Sequence, residues 1–231
     1  MDTREIERQT DARLSCTYPI LSAMKQALRW LGQVWDRMLT FFLALCLAAG
    51  GMWYALRWMA PEEAALRQQI VETAQNYLDC NEADGTHQAI VDRYNTYSPS
   101  PRGYLLTYED NWCAAFGSAV AMEVGLTDWI PVECSCEQQI LLFDRVGDWE
   151  ESDCYLPQAG DYIYYVWDEW RSGDCTAWAN HVGIVVDTFG PVIKVIEGNK
   201  DDAVAYRYIF LNDITIRGFG LPDYRKLAAT Q

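Results

Sequence analysis

Residues 111–126 read NWCAAFGSAVAMEVGL, in which Trp112, Phe116, Val120 and Val124 recur every four residues and Gly125 follows as a natural stop. This spacing predicts a core-facing helix. Asp110 or Asn111 is placed to cap it, which puts Cys113 in the first turn. There, unpaired backbone N–H groups and the positive end of the helix dipole favour thiolate over thiol, the form in which cysteine is a nucleophile. A buried cysteine without a partner is more often an inert core residue. The reading therefore depends on finding a base.

The chain has two histidines. His87 lies in a polar stretch near Gly85 and Asp92 and reads as a surface residue. His181 opens HVGIVV (181–186), an apolar β-type run in which an imidazole has no packing reason to sit. Similar runs are DYIYYVW (161–167), VIKVIE (192–197) and ITIRGFG (214–220), so a helix is followed by an antiparallel sheet, the α+β pattern. HVGIVV and VIKVIE are joined by DTFGP, a turn-prone link that predicts a hairpin. With the turn centred on Phe189, His181 faces Glu197, and Asn199 follows on the same side. A carboxylate or amide there would orient the imidazole.

Working back toward the N-terminus, SPSPRG (98–103) reads as a loop, and helical patterns occupy 61–80 and 86–94. Residues 38–56, MLTFFLALCLAAGGMWYAL, form an uncharged run of nineteen between Arg37 and Arg57. At about 1.5 Å per residue this spans roughly 28 Å, close to a bilayer's hydrocarbon core, with Trp53 and Tyr54 at one end as interfacial anchors. The thirty-seven residues ahead of it favour a retained anchor over a cleaved signal. Arg4, Arg8, Arg13, Lys25, Arg29 and Arg37 precede the span, so the N-terminus is expected in the cytoplasm and the rest outside. Leu21, Met24, Leu28, Leu31 and Trp35 make an amphipathic stripe, suited to the inner leaflet or to a simple lead into the span. Residues 61–231 carry eleven Lys/Arg against twenty-eight Asp/Glu, a net of −17, which disfavours nucleic acid as a partner.

Taken in order, NWCAAFGSAV, PQAGDYIYY, NHVGIVVD, VIEGN and IRGFGLPDY resemble the CHAP domain, a cysteine, histidine-dependent amidohydrolase/peptidase of the NlpC-like, papain-like superfamily. The resemblance covers residues 65–225, behind a cytoplasmic segment (1–37), a transmembrane helix (38–56) and a linker (57–64), with a tail at 226–231. It implies a papain-like α+β fold with N-terminal helices on an antiparallel sheet. It also implies hydrolysis of amide bonds in peptidoglycan, with Cys113 as nucleophile, His181 as general base, and Glu197 with Asn199 orienting it. A silent wall-binding module or membrane scaffold would not need these four residues. The expected partners are peptidoglycan and the lipid bilayer, and the chemistry calls for no metal or other cofactor. Some CHAP members bind calcium, but Asp168, Glu169 and Asp174 lack the loop spacing for it. By the resemblance Cys154 and Cys175 flank the 161–167 strand where the family has no cysteine, and a disulfide between them is one pairing an oxidising exterior permits. Residues 127–159 read as a loop-rich stretch, in which Cys134 and Cys136 are loop residues near the cleft.

Overall fold

A computed structural model describes residues 24, 26–48, 50, 60–152, 154–167 and 178–230. The chain divides into two units, Met1–Trp58 and Met59–Gln231. In the first, Gln26–Ala48 is one helix (α1), long and apolar enough to cross a membrane, with none of the side chains of its apolar window buried. Its 23 residues extend about 34 Å, slightly more than a hydrocarbon core. The amphipathic stripe and the start of the apolar run are therefore continuous through Arg37, with no break at 37/38. Leu21 and residues 49 and 51–56 of the expected span, including Trp53, Tyr54 and Leu56, lie outside the described residues.

The second unit opens with α2 (Pro61–Gln75), started by a proline in its first turn, and α3 (Gln88–Asn95), whose Ile90, Val91 and Tyr94 are buried. Then come α4 (Cys113–Glu123) and α5 (Cys136–Val146). The strands are β1 (Trp149–Glu150), β2 (Tyr162–Tyr165), β3 (His181–Phe189), β4 (Val192–Lys200), β5 (Ala203–Phe210) and β6 (Ile216–Gly220). Among the described residues they form one antiparallel sheet in the order β1-β6-β2-β3-β4-β5. Helix α6 (Tyr224–Ala228) follows, with Tyr224 and Leu227 buried, so folded structure continues past residue 225.

Strand alternation divides the core in two. Val182, Ile184, Ile196 and Val204 face a core shared with Trp112, Phe116 and Val120 of α4. Val185, Ile193, Val195 and Ile209 face a smaller cluster on the opposite side of the sheet, closed by Tyr155, Trp167 and Leu221. Residues 113–121 of α4 are all buried, which makes the helix a central element of the unit.

Two expectations are corrected here. The stretch 127–159 is not simply loop, because Ser135 accepts a hydrogen bond from Gln138 N, Ile140 and Phe143 are buried, and Gly147 ends α5 in a left-handed conformation. The β3–β4 register also differs from the one centred on Phe189. Phe189 pairs with Val192, so the turn is Gly190–Pro191, and an extra residue on β3 between Val185 and Asp187 shifts the ladder again. Gly183, two residues beyond His181, is the residue opposite Glu197.

Candidate active site

Cys113 is the first residue of α4, as the four-residue spacing predicts. The cap is Trp112, and it makes no side-chain capping bond. Asp110 is engaged elsewhere, accepting from Thr107 N at 2.7 Å and from Tyr104 Oη at 2.8 Å. Asn111 Oδ1 accepts from Asn199 Nδ2 at 3.4 Å. The N–H groups of the first turn are therefore not taken up by a side-chain cap, and one of them, on Ala114, helps stabilise the Cys113 thiolate.

The distance between α4 and the sheet is set at Gly198, where a Cβ would collide with Phe116 Cβ and stand 3.0 Å from Trp112 Cζ3. Only a residue without a side chain lets the start of α4 come this close to β4. This brings Cys113 within reach of the end of β3 that carries His181.

His181 is 8 % exposed, and its Nε2 lies 3.1 Å from Glu197 Oε2, leaving Nδ1 for the thiol. Because Glu197 stands opposite Gly183, it reaches the imidazole diagonally along one face of the sheet. A Cβ on Gly183 would lie 2.5 Å from Val195 Cγ1 and 2.7 Å from Glu197 Cγ, so the missing side chain makes room for the carboxylate. Arg207 on β5 completes the row, its Nε donating to both Glu197 oxygens at 2.7 and 2.9 Å. Tyr165 stacks near the imidazole at 5.9 Å between centroids, with Trp167 next to it.

Burial disfavours a charged imidazole, but hydrogen bonds to Cys113 and Glu197 and the charges of both outweigh it, raising the His181 pKa to about 9. Burial would likewise raise Glu197, yet its bonds to His181 and Arg207 hold it below the ordinary carboxylate value. The Cys113 thiol is lowered well below its usual value, first by a hydrogen bond from Cys136 and then, against burial, by the bond and charge of His181. These shifts together favour a thiolate–imidazolium pair, backed by a carboxylate and a guanidinium.

Cys136 is the first residue of α5, buried, with its Sγ 3.6 Å from that of Cys113. It is not a loop residue as its sequence context suggested. Glu137 Oε2 accepts from Ala179 N at 3.0 Å, tying the start of α5 to the residues just before His181. A cleft of about 460 Å³ lies alongside, lined by Arg102, Tyr104 and Asp110, by Asn111, and by Cys134 and Ser135 next to Cys136.

The structure thus brings together Cys113, His181 and Glu197, while Asn199 sits in a bulge at φ 55° with its amide on Asn111 instead of on the imidazole. Sequence reasoning missed Arg207 and Cys136. His87 is also corrected: it is 4 % exposed, its ring nitrogens face the carbonyls of Asn81 (3.3 Å) and Tyr108 (3.1 Å), and it lies against Trp112. Cys154 is exposed, while Cys175 and the acidic residues 168, 169 and 174 lie outside the described residues.

The fold and site define an α+β protein with a helix-borne cysteine facing a strand-borne histidine. Compared with known proteins, the chain matches no family model, no curated sequence and no solved structure.

Proposed function

We propose that this chain is a membrane-anchored cysteine hydrolase of the papain-like CHAP type, cleaving amide bonds of bacterial peptidoglycan. The observation that carries the reading is the approach of three groups: a thiol at an uncapped helix start, an imidazole bonded through Nε2 to Glu197, and Arg207 fixing that carboxylate. The order of the five sequence motifs supports the substrate class.

In this mechanism the Cys113 thiolate attacks the amide carbonyl. The developing oxyanion is held by the Cys113 backbone N–H and by Asn111 Nδ2, which is left to donate because Asn111 Oδ1 accepts from Asn199. His181 gives its proton to the leaving amine and then takes one from the water that releases the acyl group from the thioester. Helix α1 holds the enzyme in the membrane, with the N-terminus cytoplasmic and the catalytic unit on the outer side.

The test is incubation of the full chain in detergent micelles with purified peptidoglycan, followed by mass spectrometry of the soluble products. New amino termini from a cross-bridge, or free muramoyl lactyl groups, identify the bond cut. Walls left intact by wild-type protein and by Cys113→Ala alike would remove the proposal.

A further inference from the structure

Cys136 is not needed by the hydrolytic scheme, yet its sulfur touches that of the nucleophile. Both cysteines are first residues of helices, α4 and α5, and both are 6 % exposed. Their Sγ atoms are 3.6 Å apart, which is van der Waals contact for sulfur. A disulfide needs about 2.05 Å, so roughly 1.5 Å of approach, shared between two side-chain rotations, closes the gap. Cys134 is the other thiol of this segment, and its Sγ is directed to Glu133 Oε1 at 3.5 Å. The bond from Glu137 to Ala179 holds the start of α5 beside the strand that carries His181.

We infer that Cys113 and Cys136 form a redox-modification site, in which oxidation closes a reversible disulfide that blocks the nucleophile and reduction reopens it. The oxidant is a peroxide. The Cys113 thiolate attacks one peroxide oxygen, the O–O bond breaks, and a sulfenic acid forms with release of hydroxide. Sulfur loses two electrons and the peroxide gains them. Cys136 then attacks the Cys113 sulfur, the S–S bond forms, the S–O bond breaks, and hydroxide leaves and takes up the Cys136 proton as water. In sum, two thiols and one hydrogen peroxide give one disulfide and two waters. A dithiol reductant reverses the change by thiol–disulfide exchange.

Thiolate character directs the order of events. With Cys113 as the thiolate, the Cys136 S–H is the donor between them, so the Cys136 pKa is raised well above the usual value by that bond and by burial, while that of Cys113 is lowered. Cys113 is therefore the first to react with peroxide. Once it is a sulfenic acid, the negative charge that held the proton on Cys136 is gone, and the second thiol is released to resolve it.

The inference rests on the hydrolase reading only for its effect on activity, since the bond itself is read by mass. Full-length protein in detergent micelles is reduced, freed of reductant and treated with stoichiometric hydrogen peroxide. It is then alkylated and digested without reduction. A peptide pair joining Cys113 to Cys136, 2 Da lighter than its parts and split by dithiothreitol, is the expected result. Hydrolysis of peptidoglycan should fall at least tenfold on oxidation and return with dithiothreitol. In Cys136→Ser, peroxide should inactivate without recovery, because Cys113 continues to sulfinic acid, whereas in Cys134→Ala the Cys113–Cys136 bond should still form and still open with dithiothreitol. If Cys113 in the oxidised wild-type protein is still alkylated, or is joined to a cysteine other than Cys136, the inference is overturned, whether or not Cys136→Ser folds. Disulfide formation in a protein that cleaves no peptidoglycan in either state would instead overturn the hydrolase reading and leave the thiol pair standing.

Discussion

Glu197 stands opposite Gly183, not opposite His181, and crosses the vacant side-chain position of that glycine to meet the imidazole at 3.1 Å. The carboxylate's line of approach is thus set by an absent methyl group. Gly183→Ala should push Glu197 off His181, because the new Cβ would lie 2.7 Å from Glu197 Cγ. Overpacking of this kind costs about 1–3 kcal/mol, and hydrolysis should fall at least tenfold. Thermal melting and rate measured on the same preparation check it. A variant with wild-type activity would show that Glu197 needs no clearance at this point.

Cys113→Ala and His181→Ala should each reduce hydrolysis by about 10³-fold or more while leaving the circular dichroism spectrum unchanged, since the two act as one unit. Glu197→Gln keeps a hydrogen-bonding side chain beside Nε2 but loses the charge, so its loss should be smaller, about 10²-fold. Turnover by a folded Cys113→Ala protein at the wild-type rate would exclude Cys113 as nucleophile.

On the proposed mechanism the active form pairs a thiolate with an imidazolium, so activity should form a plateau. Its acid limb lies at the lowered pKa of Cys113 and its alkaline limb near pH 9, where His181 loses its proton. Stability follows the same groups. The contribution of His181, whose folded pKa is raised, is fully present below about 6.5 and is lost as pH rises through about 9. That of Glu197, whose folded pKa is depressed, is present above about 4.5 and disappears as pH falls through the folded value. In Cys113→Ala the imidazole loses a hydrogen bond and a negative neighbour, so its pKa should drop. With two histidines in the chain, an NMR titration of the ring protons resolves this directly.

Asn111→Ala should lower kcat by about 10²-fold with little change in KM, the signature of a donor that acts on the oxyanion and not on the bound ground state. Asn199→Ala should give a milder loss of the same kind, because it removes only the bond that turns the Asn111 amide. Steady-state kinetics on a soluble peptide amide separates the two parameters. An effect confined to KM would assign Asn111 to substrate binding.

Carbonate extraction should leave the chain in the membrane fraction, and protease added to wall-stripped cells should digest residues beyond 60. Protection of that part in intact cells, together with its digestion after lysis, would place it on the cytoplasmic side.

The positions of Cys113 and His181 were legible because each depends on local pattern: a four-residue apolar spacing that starts at Trp112, and a polar residue at the head of an apolar strand. The register was not, since the Gly190–Pro191 turn and the extra residue after Val185 both shift the ladder without changing which residues are apolar. Arg207 was invisible for a related reason. It meets Glu197 only because β5 pairs with β4, although the aromatic and β-branched residues Tyr206, Tyr208, Ile209 and Phe210 could have flagged the strand. Helix α5 had readable signals in Ser135, Gln138 and Gly147, but Pro131 and two closely spaced cysteines made the stretch look irregular. The meeting of Cys136 with Cys113 depends on two helix starts arriving together, which no local pattern encodes.

The close seating of α4 on Gly198 separates two kinds of evolutionary freedom. The reacting atoms hang from a helix start and two paired strands, held at a spacing that no surface residue controls. The neighbouring cleft is walled by Arg102, Tyr104 and Ser135, all on connecting segments. If the chain is the proposed hydrolase, substitutions along that wall retune which peptide is accepted while the chemistry stays where it is, so homologous chains with different substrates should diverge there first and at Gly183 and Gly198 last.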